Sequence, residues 1–123
     1  MEEFDEVLVR VIDRTIRYTF GDRNAVVIYN YLEKSGCPIT EIPTKPYQFS
    51  VELRRILGPG RGQLLGAAPI LEETILKALC AEIRIEIDTQ SGTSFAENII
   101  ELRRVYEGNG GLRHLAHLEG STP

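Results

Sequence analysis

The sequence predicts an all-α domain of about five helices, packed as a compact orthogonal or bundle-like array. Three observations carry that expectation. Apolar residues recur at three- and four-residue steps along most of the chain, which places them on single faces of α-helices. Glycine and proline cluster between those stretches, where the chain must turn. Only residues 81–89 alternate like a strand, and no second convincing strand exists to pair with them. A lone strand leaves its backbone groups unsatisfied.

Each element has its own local signal. In the first helix, expected from about Glu2 to Tyr18, the residues Phe4, Val7, Leu8, Val11, Ile12, Thr15 and Ile16 make one stripe. Glu6 with Arg10, and Asp13 with Arg17, stand four apart in the favourable acidic-first order. Gly21 can end the helix in a left-handed conformation. Asp22 is a good N-cap for a second helix from Arg23 to Lys34, closed by Ser35-Gly36. Val26, Val27, Ile28, Tyr29, Tyr31 and Leu32 cover most of that helix, so it should be central or buried on two sides.

Residues 36–45, GCPITEIPTK, read as a loop with Ile39 and Ile42 tucked onto the core. Pro46 suits the first turn of a third helix through Phe49, Leu53, Ile56 and Leu57. GPGRG at 58–62 is the clearest break, and Gly58, Gly60 and Gly62 are its candidate hinge. Gln63 to Ala68 suggests a short helical piece. Leu71, Ile75, Leu79 and Ile83 then repeat every four residues, and Ile87 continues the series, so 81–89 is expected to be the end of the fourth helix. Ser94 and Glu97 form an S-x-x-E capping box before a last helix with Phe95, Ile99, Leu102 and Tyr106 on one face. EGNGG at 107–111 is expected to stop it. The whole reads as one domain over 1–123 with a flexible tail from about 108.

A chain of 123 residues can build its own core without a disulfide or a metal. The apolar fraction of 42% and charged fraction of 26% are ordinary for a globular protein. A net charge of −4 argues against a general nucleic-acid binder. Two cysteines, Cys37 and Cys80, do not make a disulfide framework. No stretch has the length of a membrane span, and MEEFDE is too acidic for a signal peptide, so a cytoplasmic protein without membrane partner is expected.

Chemistry is thin. His114 and His117 share a helix face but lack the further ligands of a closed metal site, so no metal is expected. GPGRG lacks the GK[ST] ending of a phosphate loop and no strand precedes it. It resembles part of a DNA-gripping helical hairpin only loosely, with proline where an aliphatic residue belongs. Arg54, Arg55 and Arg61 around it are the possible polyanion contact, with ion pairing to neighbouring carboxylates as the competing reading. No nucleophile–base arrangement can be argued, and no catalytic residue or cofactor is expected.

The stretch from Ala25 to Ile83 resembles the fifth type of the Nitrosopumilus output domains, a family of small archaeal helical domains. The resemblance lies in VVIYNYLEKSG, in the I-P-x-x-P-x-x-F pattern of residues 42–49, in LRRILGPG and in ILEETILKAL. It covers about half of the chain. GRGQLLGAA makes a longer turn than the family pattern has. Such a resemblance implies an output or interaction role in archaeal regulation, with a signalling protein as partner and without assigned chemistry.

The expected function is therefore a non-catalytic regulatory or protein-interaction domain, with a homodimer as the expected assembly. Val27, Ile28, Tyr31, Leu71, Ile75 and Leu79 are its candidate interaction face. The alternative is a helical nucleic-acid binder acting through the arginines around GPGRG.

Overall fold

The computed structural model describes residues 2–57, 67–87 and 93–119, with side chains as far as residue 108. All regular structure among them is helical: α1 (Phe4–Phe20), α2 (Asp22–Lys34), a 3-10 helix (Ile39–Thr44), α3 (Pro46–Leu57), α4 (Ala67–Ile83) and α5 (Phe95–Glu119). The expected all-α class is what forms.

The helix ends follow from local chemistry. Gly21 adopts φ 88° and its N–H reaches the Arg17 carbonyl at 2.9 Å, closing α1. The same glycine is the N-cap of α2, so Asp22 is the first helical residue rather than the cap. Its carboxylate instead meets Arg17 at 3.1 Å. At the end of α2, Gly36 takes φ 83°, and the Cys37 and Gly36 amides bond back to Leu32 and Glu33 in a Schellman motif. Lys45 and Gln48 donate to the Gly36 and Ser35 carbonyls, each at 2.9 Å. A cation there complements the negative end of the helix dipole.

Three boundaries differ from the sequence reading. The segment expected as loop contains the 3-10 helix, which turns Ile42 fully into the core and leaves Ile39 partly buried against it. The fourth helix stops at Ile83 and does not take in the rest of 81–89 as expected; of that stretch, residues 88 and 89 lie outside the described residues. Arg84 enters the left-handed region at φ 59°, and the Ile85 amide bonds to the Cys80 carbonyl at 3.1 Å. This Schellman turn lets Ile85, as well as Ile83, enter the core, which a continued helix would not allow. The last helix passes through EGNGG to Glu119. Glycine weakens a helix interior by about 1 kcal/mol relative to alanine but does not forbid it.

One core unites the elements. α1 packs against α4, α2, the 3-10 helix and α5, while α3 bridges α2, α4 and α5. Phe4, Leu8, Ile12 and Ile16 from α1 are sealed with Leu32, Phe49, Leu53, Ile75, Leu79, Ile99 and Leu102 from the other helices. Phe4 meets Tyr106 with ring centroids 5.8 Å apart, and Tyr106 donates to the Glu2 carbonyl at 2.6 Å. Those contacts tie α5 to the start of α1. Phe49 and Phe95, 5.9 Å apart, join α3 to the first turn of α5.

Ion pairs cross the same joints. Arg10 bonds Glu82 at 2.8 Å and also Glu2, while Arg14 bonds Glu82 at 3.2 Å. Those arginines hold the Glu82 carboxyl below its usual range, first through Arg10 and then Arg14. Glu6, the expected partner of Arg10, instead accepts the Glu3 amide at the start of α1. The expected Asp13–Arg17 pair forms at 2.9 Å.

Candidate functional site

A groove of about 630 Å³ opens between α3, α4 and the first turn of α5. Its position follows from three local facts. Tyr47, Val51 and Arg54 lie on one stripe of α3 at four- and three-residue spacing. Glu72, Glu73, Leu76 and Lys77 come from the middle of α4, where Lys77 pairs with Glu73 at 3.4 Å. Ser94 starts α5 through the expected capping box, its hydroxyl accepting the Glu97 amide at 3.1 Å and its own amide reaching Glu97 Oε1 at 2.8 Å. That cap sets Phe95 and Asn98 into the groove.

The polar floor is a closed network. Arg54 holds Glu72 with two parallel hydrogen bonds, Nη1 to Oε2 at 2.8 Å and Nη2 to Oε1 at 3.1 Å. Ser50, one turn before Arg54, donates its hydroxyl to Glu72 and accepts from Arg54 Nη1 at 2.5 Å. The Glu72 side chain is only 6% exposed, whereas that of Arg54 is 44% exposed. A sealed carboxylate needs such a partner, because an uncompensated buried charge is costly. Both oxygens of Glu72 are thereby occupied, and the Ser50 proton is committed to it.

Asn98 is different. It lines the groove at 7% exposure, and its side-chain amide has no hydrogen-bond partner among the described residues. A carboxamide offers two donors and an acceptor, so this is a polar group of the groove left to meet something else. Buried Leu76 and Phe95 and half-buried Ile87 line the same groove with apolar surface, and Tyr47 and Val51 are its exposed apolar residues.

Four of the six residues expected from sequence to form an interaction face are turned inward. Ile28, Leu71, Ile75 and Leu79 are buried in the subunit's own core. The expectation rested on too much apolar surface for one small domain to enclose. α1 covers both α2 and α4, and the 3-10 helix contributes its own apolar residues to the shared core. Tyr31 is partly buried, with its hydroxyl donating to Glu52 at 2.8 Å. Only Val27 of the six is exposed, at 57%, beside Val26. The helix expected to be buried on two sides therefore keeps one apolar strip open.

Arg54 and Arg55 both sit at the end of α3. Arg54 is engaged with Glu72, and Arg55 lies 3.7 Å from Glu52. The ion-pair reading of these two arginines is the one the geometry follows, with Glu72 an unforeseen partner from another helix. Arg61 and the hinge glycines Gly58, Gly60 and Gly62 lie outside the described residues, as do the side chains of His114 and His117. Cys37 and Cys80 are both free thiols, and burial pushes each up from its ordinary range.

Asn98 and the Ser50–Arg54–Glu72 network were not singled out from sequence. The readable signal for Asn98 is its register. Positions 95, 98, 99 and 102 share one helix face, so an asparagine stands on an otherwise apolar stripe. The network had no such signal, because nothing in the spacing shows that Glu72 faces α3.

Comparison of the chain with protein-family models, curated proteins and solved structures finds no match.

Proposed function

We propose that this chain is a non-catalytic interaction domain of a regulatory or output kind, acting through the α3–α4–α5 groove. The regulatory part rests on the motif resemblance of residues 25–83 alone, which no family model matches. The observation that carries the interaction part is the groove itself. Its charged groups neutralise one another, the larger part of its open surface is apolar, and one sheltered carboxamide is left to recognise a partner. Recognition surfaces combine a mostly apolar hollow with a few placed polar groups in this way.

The nucleic-acid reading has less support, because Arg54 and Arg55 already face carboxylates. A homodimer remains part of the proposal through the exposed strip of Val26 and Val27, since Ile28, Leu71, Ile75 and Leu79 are interior.

A screen of small organic fragments against the full chain, read by amide NMR, tests the reading. Binding should concentrate at Leu76, Ile87, Phe95 and Asn98. Fragments that bind elsewhere, or none that bind, would defeat it. Salt-sensitive binding of a duplex oligonucleotide, lost on Arg54→Ala and Arg55→Ala, would replace it with the nucleic-acid reading.

A further inference from the structure

The groove's chemistry narrows what it can hold. An anion is a poor fit: Arg54 is occupied by Glu72, and Lys77 is within ion-pairing distance of Glu73. A phosphate or carboxylate would have to displace a carboxylate already in place and then lie beside it. A purely apolar ligand fits no better, because it would cover the Asn98 amide and leave its donors and acceptor without partners, at a cost of about 1–3 kcal/mol. The complement of a primary carboxamide is another amide, which offers one donor and one acceptor in the same plane.

The shape of the apolar surface narrows it further. Leu76, Ile87 and Phe95 line the groove together with Asn98 and give it an apolar seat. On the α3 side, exposed Tyr47 (56%) and Val51 (47%) carry that surface out of the groove. On α4, exposed Ile70 lies on the same stripe as Glu73 and Lys77, at three- and seven-residue spacing. Apolar surface on both banks suits a ligand that runs on past the seat. An extended chain has that form, with backbone amides to pair and side chains for pockets.

Resting on the interaction reading above, we infer that the α3–α4–α5 groove takes an extended peptide segment of a partner protein. A backbone amide of the peptide pairs with the Asn98 carboxamide, and one apolar side chain sits among Leu76, Ile87 and Phe95. Tyr47 and Val51 contact the residues that leave the groove.

The test is a phage-displayed library of short linear peptides panned on the full chain, followed by NMR mapping and affinity measurement with the selected peptides. The expected peptides share an apolar residue and shift the amides of Leu76, Phe95 and Asn98. Asn98→Leu keeps a helix-compatible side chain of similar size but removes the amide, and should weaken binding roughly tenfold or more. Val51→Glu alters an exposed position and should also weaken binding, which keeps the test decisive if Asn98→Leu disturbs packing. Selected peptides that bind equally to both variants would overturn the inference. So would concentration-dependent self-association that shifts the same groove amides, because the occupant would then be a second copy. Fragments that bind the groove while no peptide is selected would overturn the peptide inference and leave the interaction reading standing. Absence of both would remove both.

Discussion

Replacing Arg54 with methionine should destabilise the protein by about 2 kcal/mol, and the size follows from where the two ends of its ion pair sit. The Glu72 side chain is 6% exposed and would be left with Ser50 as its hydrogen-bond donor. Removing one partner of a fully buried pair costs about 3–5 kcal/mol. Arg54 is 44% exposed, so water and salt already weaken the pair and the cost should be about half of that. In a 123-residue chain, about 2 kcal/mol corresponds to roughly 8 °C in Tm. The reverse substitution should cost less. Glu72→Leu leaves an arginine that can turn into solvent, so about 1 kcal/mol or less is expected. The double variant should be nearly as stable as the natural chain, because an apolar pair replaces an ionic one without stranding a charge. Urea unfolding followed by helical circular dichroism gives all four stabilities of the cycle. Equal costs for the two single variants, or a cost below about 0.5 kcal/mol for Arg54→Met, would refute the claim that Glu72 is sealed and dependent on Arg54. It would also return Arg54 to the pool of cations free to meet a polyanion.

Other perturbations probe the backbone and the core. Gly36→Ala has space for its Cβ, with the Gln48 amide 3.7 Å away, so its whole penalty comes from φ 83° and should be about 1–2 kcal/mol in a thermal melt. Arg84→Gly should act in the opposite direction and stabilise by up to about 1 kcal/mol, since a non-glycine residue now holds φ 59°; a loss of stability would show that the arginine side chain contributes more than its backbone costs. Ile75→Ala, at a fully sealed position facing the shared core, should cost about 2–5 kcal/mol in urea unfolding, whereas an interface role would leave the monomer's stability almost unchanged. Tyr29 is raised by burial and by its 2.5 Å hydrogen bond to Asp13, so it contributes stability that is complete below its unfolded value of 10.0 and is lost as pH rises beyond it. Tyr29→Phe should flatten that alkaline decline, and an unchanged slope would assign it to other groups.

The all-α class was legible because it depends on local chemistry. A four-residue apolar repeat, a glycine able to take positive φ and a serine three residues before a glutamate act within one or two turns of chain. Gly21, Gly36, Pro46 and the Ser94–Glu97 box therefore mark helix ends in the structure where they mark them in the sequence. The misread boundaries also have a local origin. Residues 81–89 carry both periods in the sequence, and the choice fell to a left-handed Arg84 that brings Ile85 into a core built by distant helices.

Burial and the site belong to the tertiary structure. An apolar stripe states that a face will be covered but not by what, and the cover of Leu71, Ile75 and Leu79 is this chain's own fold. The partner of Glu72 lies 18 residues away on another helix, and nothing in the periodicity of either helix encodes that meeting. Asn98 sits on a visible apolar stripe, yet only the packing of α3 and α4 beside α5 leaves its amide sheltered and without a partner among the described residues. Helical period is a property of neighbours along the chain, whereas a groove is a property of helices brought together by a shared core.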